Sequence, residues 1–225
     1  VMMNEALYNK EITCPVCSKS FPATKVKARA CKVKSRDSDF CVHYEGINPI
    51  FYDAWVCENC GYANHSDKFE ELLQNEADIL RNKLMPKWAK RSLSGERDVD
   101  MATEAFKLVL ISHDYRGAKA SDFAKTCLRI AWLYRYKGDE EEEIKFIRHA
   151  LEYYKEVYEK EFFPVDKLDE STCIYMIGEL SYRAGYYSDA VKWFSKLMSS
   201  EEARKKPALM EAAREQFQLV KEKMK

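Results

Sequence analysis

Four cysteines in two matched pairs constrain this chain more than any other feature. Cys14-Pro15-Val16-Cys17 and Cys57-Glu58-Asn59-Cys60-Gly61 each leave two residues between the thiols. That spacing lets one tight turn aim both sulfurs at a single tetrahedral ion. Two such turns supply four thiolates, which close the coordination shell and leave no position for a substrate water. A thioredoxin-like dithiol would need one pair beside a βαβ pattern, and neither pair has one. The expected cofactor is one structural Zn²⁺, because zinc is the common occupant of a Cys₄ tetrahedron, although iron also fits it.

The residues around the pairs read as a small sheet. Phe21 to Val33 alternates in part, with Lys25, Lys27 and Arg29 on one side and Val26, Ala28 and Ala30 on the other. Ile50 to Val56 is rich in β-branched and aromatic residues, and Asn48-Pro49 marks a turn before it. Both segments are expected to be strands, with a cysteine knuckle at each end of the sheet. The apolar inventory of residues 1–65 is thin, and domains of this size generally need a metal or disulfides. Cysteine pairing as a secreted disulfide scaffold is disfavoured, since four of the eight cysteines sit in the CxxC pairs and a chain of 225 residues needs no staples.

From Ser66 the period changes to helical. Seven helices are expected, in antiparallel pairs with short turns. They run from a Ser66 N-cap to Pro86, over 98–112, 118–136, 139–159 and 169–184, from a Ser188 cap to Met198, and from Pro207 onward. Lys87 to Arg97 reads as a loop. Gly117, Gly138 and Gly185 punctuate the pairs. The acidic run Asp139–Glu143 is helix-start chemistry, favourable at the positive end of the helix dipole. Ile130-Ala131, Gly138 and Ala150-Leu151 align with Ile177-Gly178, Gly185 and Leu197-Met198. The shared pattern resembles the tetratricopeptide repeat, with a looser period than a regular array. The fold class is therefore α+β: a zinc ribbon over residues 1–65, then an all-α tetratricopeptide-like domain over 66–225 closed by a capping helix.

The string Asp39-Phe40, Tyr44-Glu45-Gly46-Ile47-Asn48-Pro49, Tyr52, Val56-Cys57 and Cys60-Gly61-Tyr62-Ala63 resembles a bacterial domain-of-unknown-function family, number 2225. Ala131-Trp132-Leu133-Tyr134-Arg135 and Ile177-Gly178-Glu179-Leu180 are similar to its helical segments. The resemblance extends from about Ile12 to Leu197. It implies a cytosolic zinc-ribbon plus repeat protein, with Cys14, Cys17, Cys57 and Cys60 as metal ligands, and it brings no activity.

Two surfaces are candidates for a partner. By analogy with tetratricopeptide packing, Leu128, Trp132, Arg135, Tyr136, Tyr175, Glu179, Tyr182 and Arg183 lie off the core stripe and toward a concave groove. Trp, Tyr and Arg are enriched at binding hot spots, so a protein or peptide partner is the first expectation. The competing possibility is that the zinc module or the first helix packs there and covers these residues. The second surface is the run Lys25, Lys27, Arg29, Lys32, Lys34 and Arg36, with no acid between Ser18 and Arg36. It could track the phosphates of a nucleic acid, or be a solvated strand face. Lys+Arg and Asp+Glu are 37 each, so the chain as a whole has no pull toward polyanions.

Other classes have less support. No phosphate loop, nucleophile elbow or recognisable His–carboxylate pair is present, so an enzyme and a small-molecule substrate are not expected. No apolar run approaches the roughly 20 residues that span a bilayer, and Val1 to Lys10 lacks a signal-peptide core. The expected setting is cytoplasmic, without membrane contact. Cys31, Cys41, His43 and His65 are irregularly spaced for a second metal site, and Cys127 and Cys173 read as small core residues.

Overall fold

The computed structural model describes residues 4–225. Six short strands come first: β1 (Leu7–Thr13), β2 (Ser20–Val26), β3 (Lys32–Arg36), β4 (Val42–Glu45), β5 (Ala54–Val56) and β6 (Ala63–His65). They pair as three two-stranded ladders, β1 with β2, β3 with β4 and β5 with β6. Among the described residues eight α-helices follow: α1 (Gln74–Lys83), α2 (Val99–Arg116), α3 (Ala120–Lys137), α4 (Glu140–Lys160), α5 (Glu170–Arg183), α6 (Tyr187–Met198), α7 (Glu201–Arg204) and α8 (Pro207–Lys223). The expected order of strands then helices holds.

Several boundaries differ from the sequence expectation, each for a local reason. The single strand over Phe21–Val33 is two, β2 and β3, broken by a 3₁₀ turn at Ala28–Ala30. The strand over Ile50–Val56 begins with a 3₁₀ turn at Pro49–Tyr52, where the Asn48 side chain accepts from Ile50 N–H. Ser66 does not cap a helix. Residues 66–70 form turns around a buried Phe69, and α1 starts at Gln74, where Glu76 accepts from the Leu73 N–H. Ser188 lies inside α6, which starts one residue earlier. The short α7, capped by Ser200, adds an eighth helix to the expected seven.

The helices otherwise follow their signals. Asp98 accepts from Met101 N–H at 2.8 Å to start α2, and Asp169 accepts from Thr172 N–H at 2.8 Å to start α5. Four glutamates fill the first turn of α4.

The chain packs as two compact units, and the division differs from a cut at residue 65. The first unit comprises residues up to Ser35, Val42–Ala118 and Trp132–Asp139; the second comprises Arg36–Cys41, Lys119–Ala131 and Glu140–Lys225. In the first, α1 and α2 join the ribbon instead of the later helices. Its core holds Ile12, Phe21, Trp55, Tyr62, Phe69, Leu80 and Leu84, with the sulfurs of Cys14, Cys57 and Cys60 among them. Phe69 is the hub, with ring centroids 4.6 Å from Tyr62, 5.5 Å from Phe21 and 5.9 Å from Trp55. α2 adds a polar tie, since Ser112 Oγ accepts from Ala63 N–H at 3.0 Å. A thin ribbon thus acquires a core by borrowing Leu80 and Leu84 from helix α1 and the turn after it.

In the second unit α5 is the central element. It packs against α4, α6 and α8, and ten of its residues are buried, including Tyr175, Gly178 and Glu179. A helix buried all round has no outward face to offer. Gly178 is the small residue of the α5–α6 contact: a Cβ there would lie 2.9 Å from the Phe194 ring.

Candidate metal centre

The two CxxC segments fold as equivalent knuckles. The first is the turn of the β1–β2 ladder, and the second is the turn of the β5–β6 ladder. In the first, Ser18 N–H donates to Cys14 O at 2.9 Å and Cys14 N–H to Lys19 O at 3.0 Å. In the second, Gly61 N–H donates to Cys57 O at 2.9 Å and Cys57 N–H to Tyr62 O at 2.8 Å. The residue after each second cysteine turns left-handed, Ser18 at φ 61° and Gly61 at φ 83°. Glycine suits the second position twice over, because a Cβ would also lie 2.6 Å from the Trp88 ring.

The ladders bring the four sulfurs together. Cys14 Sγ lies 3.6 Å from Cys60 Sγ, and Cys17 Sγ lies 3.7 Å from Cys57 Sγ. All four fall within 4.8 Å of one another, with Cys14, Cys57 and Cys60 buried. A disulfide would need sulfurs about 2.05 Å apart. Four sulfurs about 2.3 Å from one ion in a tetrahedron stand about 3.8 Å from each other. The cluster therefore fits a single tetrahedral ion, and Cys14, Cys17, Cys57 and Cys60 could hold one metal.

Electrostatics agree with a cation there. Cys57 is held as a thiolate, its pKa pulled down to about 2 by hydrogen bonds from Cys14 and Cys60. The hydrogen bond with Cys57 pushes Cys14 up to about 12, and those with Cys14 and Cys57 push Cys60 up as well. Protein groups alone favour this thiolate and disfavour ionisation of Cys14 and Cys60. A bound positive ion would favour the anionic form of Cys14 and Cys60. Backbone N–H groups already face the sulfurs, as at Val16 N to Cys14 Sγ, 3.4 Å.

Two residues outside the motif brace the knuckles. Arg81 on α1 donates through Nε to Val16 O at 2.7 Å. Trp88 donates through Nε1 to Glu58 O at 2.7 Å, its ring lying against Gly61 and beneath the Arg91 guanidinium. Sequence reasoning missed both. An isolated tryptophan in the polar stretch after Pro86 was the available signal.

The other predicted site residues separate into those taken up by packing and those exposed. The eight groove residues fall in both units: Trp132, Arg135 and Tyr136 in the first, the rest in the second. Leu128, Trp132, Tyr175 and Glu179 are buried. Along α5 the surface is taken up by residues 36–41. Glu179 accepts from Ser38 Oγ, from Arg183 Nε at 2.9 Å and from Gln216 Nε2 at 2.6 Å. Tyr175 OH donates to Ser38 O at 2.7 Å, Arg183 Nη2 to Ser38 Oγ at 3.0 Å, and Asp39 lies 3.7 Å from Arg183. The Tyr182 ring packs against Tyr187, and Tyr136 OH donates to Val42 O.

Of the basic run, Lys25 sits over the Trp55 ring and Lys27 Nζ donates to Glu5 O. Arg29, Lys32, Lys34 and Arg36 are exposed. Cys31 donates to Lys27 O, while His65 is buried edge-on against Phe106. Burial pushes the Cys127 and Cys173 thiols up to about 12, which keeps them neutral core residues.

The family of uncharacterized proteins conserved in bacteria (DUF2225) matches residues 7–220. This chain belongs to that family. The match covers both knuckles and nearly all of the helical part. No curated protein and no solved structure matches the chain. Among the described residues, no helix is long and apolar enough to cross a membrane.

Proposed function

We propose that this family member is a cytoplasmic scaffold in which one structural zinc ion fixes the first unit and a tetratricopeptide-like second unit binds a protein or peptide partner. The tetrahedral spacing of four cysteine sulfurs supports the metal role. Zinc is favoured because four thiolates with no open position are the usual structural zinc set, and a reducing compartment keeps them free for it. The closed ligand set also favours a binding protein over an enzyme. The observation carrying the partner role is the clasp around Ser38. Tyr175, Glu179 and Arg183 together hold the turn between β3 and β4 by its backbone carbonyl, hydroxyl and carboxylate, and Gln216 bonds Glu179 from behind. That is the chemistry of a peptide-binding groove, with the chain's own Arg36–Cys41 segment as its occupant.

The test uses the full zinc-loaded chain carrying Ser38→Gly, Asp39→Gly and Phe40→Gly, offered a synthetic peptide of residues 36–41. The expected result is saturable binding at sub-millimolar Kd, lost when Arg183→Ala is added. A folded variant that ignores the peptide would overturn the groove reading.

A second reading rests on β3. All five of its residues are exposed, and Lys32 and Lys34 share a face by the two-residue period. A nucleic acid could be held there through phosphates. Retention on mixed DNA and RNA pools that falls steeply with salt would support it, and no retention at low salt would remove it.

A further inference from the structure

The segment that carries the family resemblance, Tyr44 to Tyr52, lines a cleft of about 510 Å³ in the first unit. That volume lies within the range of small-molecule sites, which run from about 300 to 1,000 Å³. His43, Tyr44, Phe51 and Tyr136 give it an aromatic wall, and Glu96 and Arg97 give it charge. The rings stand at angles to one another. His43 meets Tyr136 at 90° with centroids 5.6 Å apart, and Phe51 meets it at 57° and 6.2 Å. The Tyr136 hydroxyl is tied to Val42 O at 2.6 Å, which fixes the ring.

Arg97 is the unusual group. It is 7% exposed, yet its guanidinium bonds only neutral carbonyls: Nε to Leu93 O at 2.8 Å, and Nη1 to Phe51 O at 3.0 Å and Ala54 O at 2.7 Å. Among the described residues no carboxylate forms an ion pair with it, and its two Nη2 N–H groups have no protein acceptor. Burial draws its pKa down to about 10, so it stays charged at neutral pH. A buried cation without a counter-ion is costly, and an anion that enters the cleft relieves that cost. With Nε and Nη1 engaged, the free Nη2 group can donate charge-assisted hydrogen bonds to a carboxylate or phosphate oxygen.

We propose that this cleft binds a small molecule with a planar ring and an anionic arm, a carboxylate or a phosphate, with Arg97 anchoring the arm and Phe51 and Tyr136 holding the ring. Exposed Glu96 opposes the anion and is placed to accept from a donor on the ring. The site is separate from the cysteine cluster and from the Ser38 clasp, and needs neither reading to hold.

The experiment is calorimetric titration of the zinc-loaded chain with adenosine monophosphate and with indole-3-acetate, against adenosine and indole as uncharged counterparts. At least one anionic probe is expected to bind at sub-millimolar Kd, about tenfold or more tighter than its counterpart. The two arms separate a phosphate from a carboxylate ligand. Arg97→Lys tests the anchor but disturbs three carbonyl contacts. Two variants therefore leave the guanidinium alone. Glu96→Gln is expected to tighten the anionic probe about two- to fivefold by removing a like charge. Phe51→Leu is expected to weaken it about tenfold by removing the ring contact. Failure of both anionic probes at millimolar concentration, equal binding of the uncharged counterparts, or unchanged affinity in both variants would overturn the proposal.

Discussion

Removing one hydroxyl, by Ser38→Ala, tests whether residues 36–41 belong to the helical unit. Ser38 Oγ donates to the Glu179 carboxylate and accepts from Arg183 Nη2. A hydrogen bond to a charged group contributes about 1.5–3 kcal/mol. Arg183 is 24% exposed and keeps Asp39 within 3.7 Å, so solvent and the second carboxylate offset part of the loss. The expected cost of Ser38→Ala is about 2 kcal/mol. Glu179→Ala removes the acceptor of Arg183 Nε and Gln216 Nε2, and breaking a buried charge pair costs about 3–5 kcal/mol, here at the low end because Asp39 stays beside Arg183. If Ser38 acts through Glu179, its loss costs less once the carboxylate is gone. The double mutant then falls short of the sum by about 1 kcal/mol. Urea unfolding followed by helical circular dichroism, with metal content checked in each variant, supplies the cycle. The Tyr175 bond to the Ser38 carbonyl survives in all three proteins, so the segment stays tethered throughout. Additive effects, or a Ser38→Ala cost within about 0.5 kcal/mol of zero, would refute the clasp.

Gly61→Ala is expected to destabilise the metal centre by about 2–4 kcal/mol, because it combines a left-handed backbone with a 2.6 Å approach to Trp88; metal transfer to a chelator should be faster than in the parent, and an unchanged rate would refute the packing argument. Burial pushes the hydroxyls of Tyr62, Tyr154 and Tyr175 up, each above the unfolded value of about 10. Their contribution to stability is therefore complete below about pH 10 and is lost as pH rises toward the folded pKa. A phenolate titration should show a late group of the 14 tyrosines ionising only as helical signal disappears; smooth ionisation of all of them before unfolding would contradict their burial.

What was legible in the sequence is what a short window encodes. The CxxC spacing gives the ligands, and Gly117, Gly138 and Gly185 give the helix breaks because the turns need positive φ there. β1 escaped because five of its seven residues are exposed and no alternation shows. The break between β2 and β3 escaped because Ala28–Ala30 carries neither glycine nor proline. The clasp was illegible for a different reason. Tyr175, Glu179 and Arg183 have the residue types of a binding hot spot, and their partner Ser38 lies 141 residues from Glu179 along the chain. Side-chain chemistry marked these residues as contact-forming; only the tertiary fold reveals that the chain's own segment is what they contact. The domain edge moved for a similar reason, since Leu80 and Leu84 follow a helical period yet pack on the ribbon core.

The metal content of the chain, purified without chelator or added metal, tests the central claim most directly. A zinc-stabilised first unit predicts one equivalent of zinc, with the four thiols of Cys14, Cys17, Cys57 and Cys60 shielded from thiol reagents until the ion is removed. Removal then abolishes the tertiary contacts of the ribbon together with α1, since structural zinc contributes about 10 kcal/mol or more to such folds. Well under one equivalent of any metal, with all four thiols reactive and the first unit still folded, would contradict it.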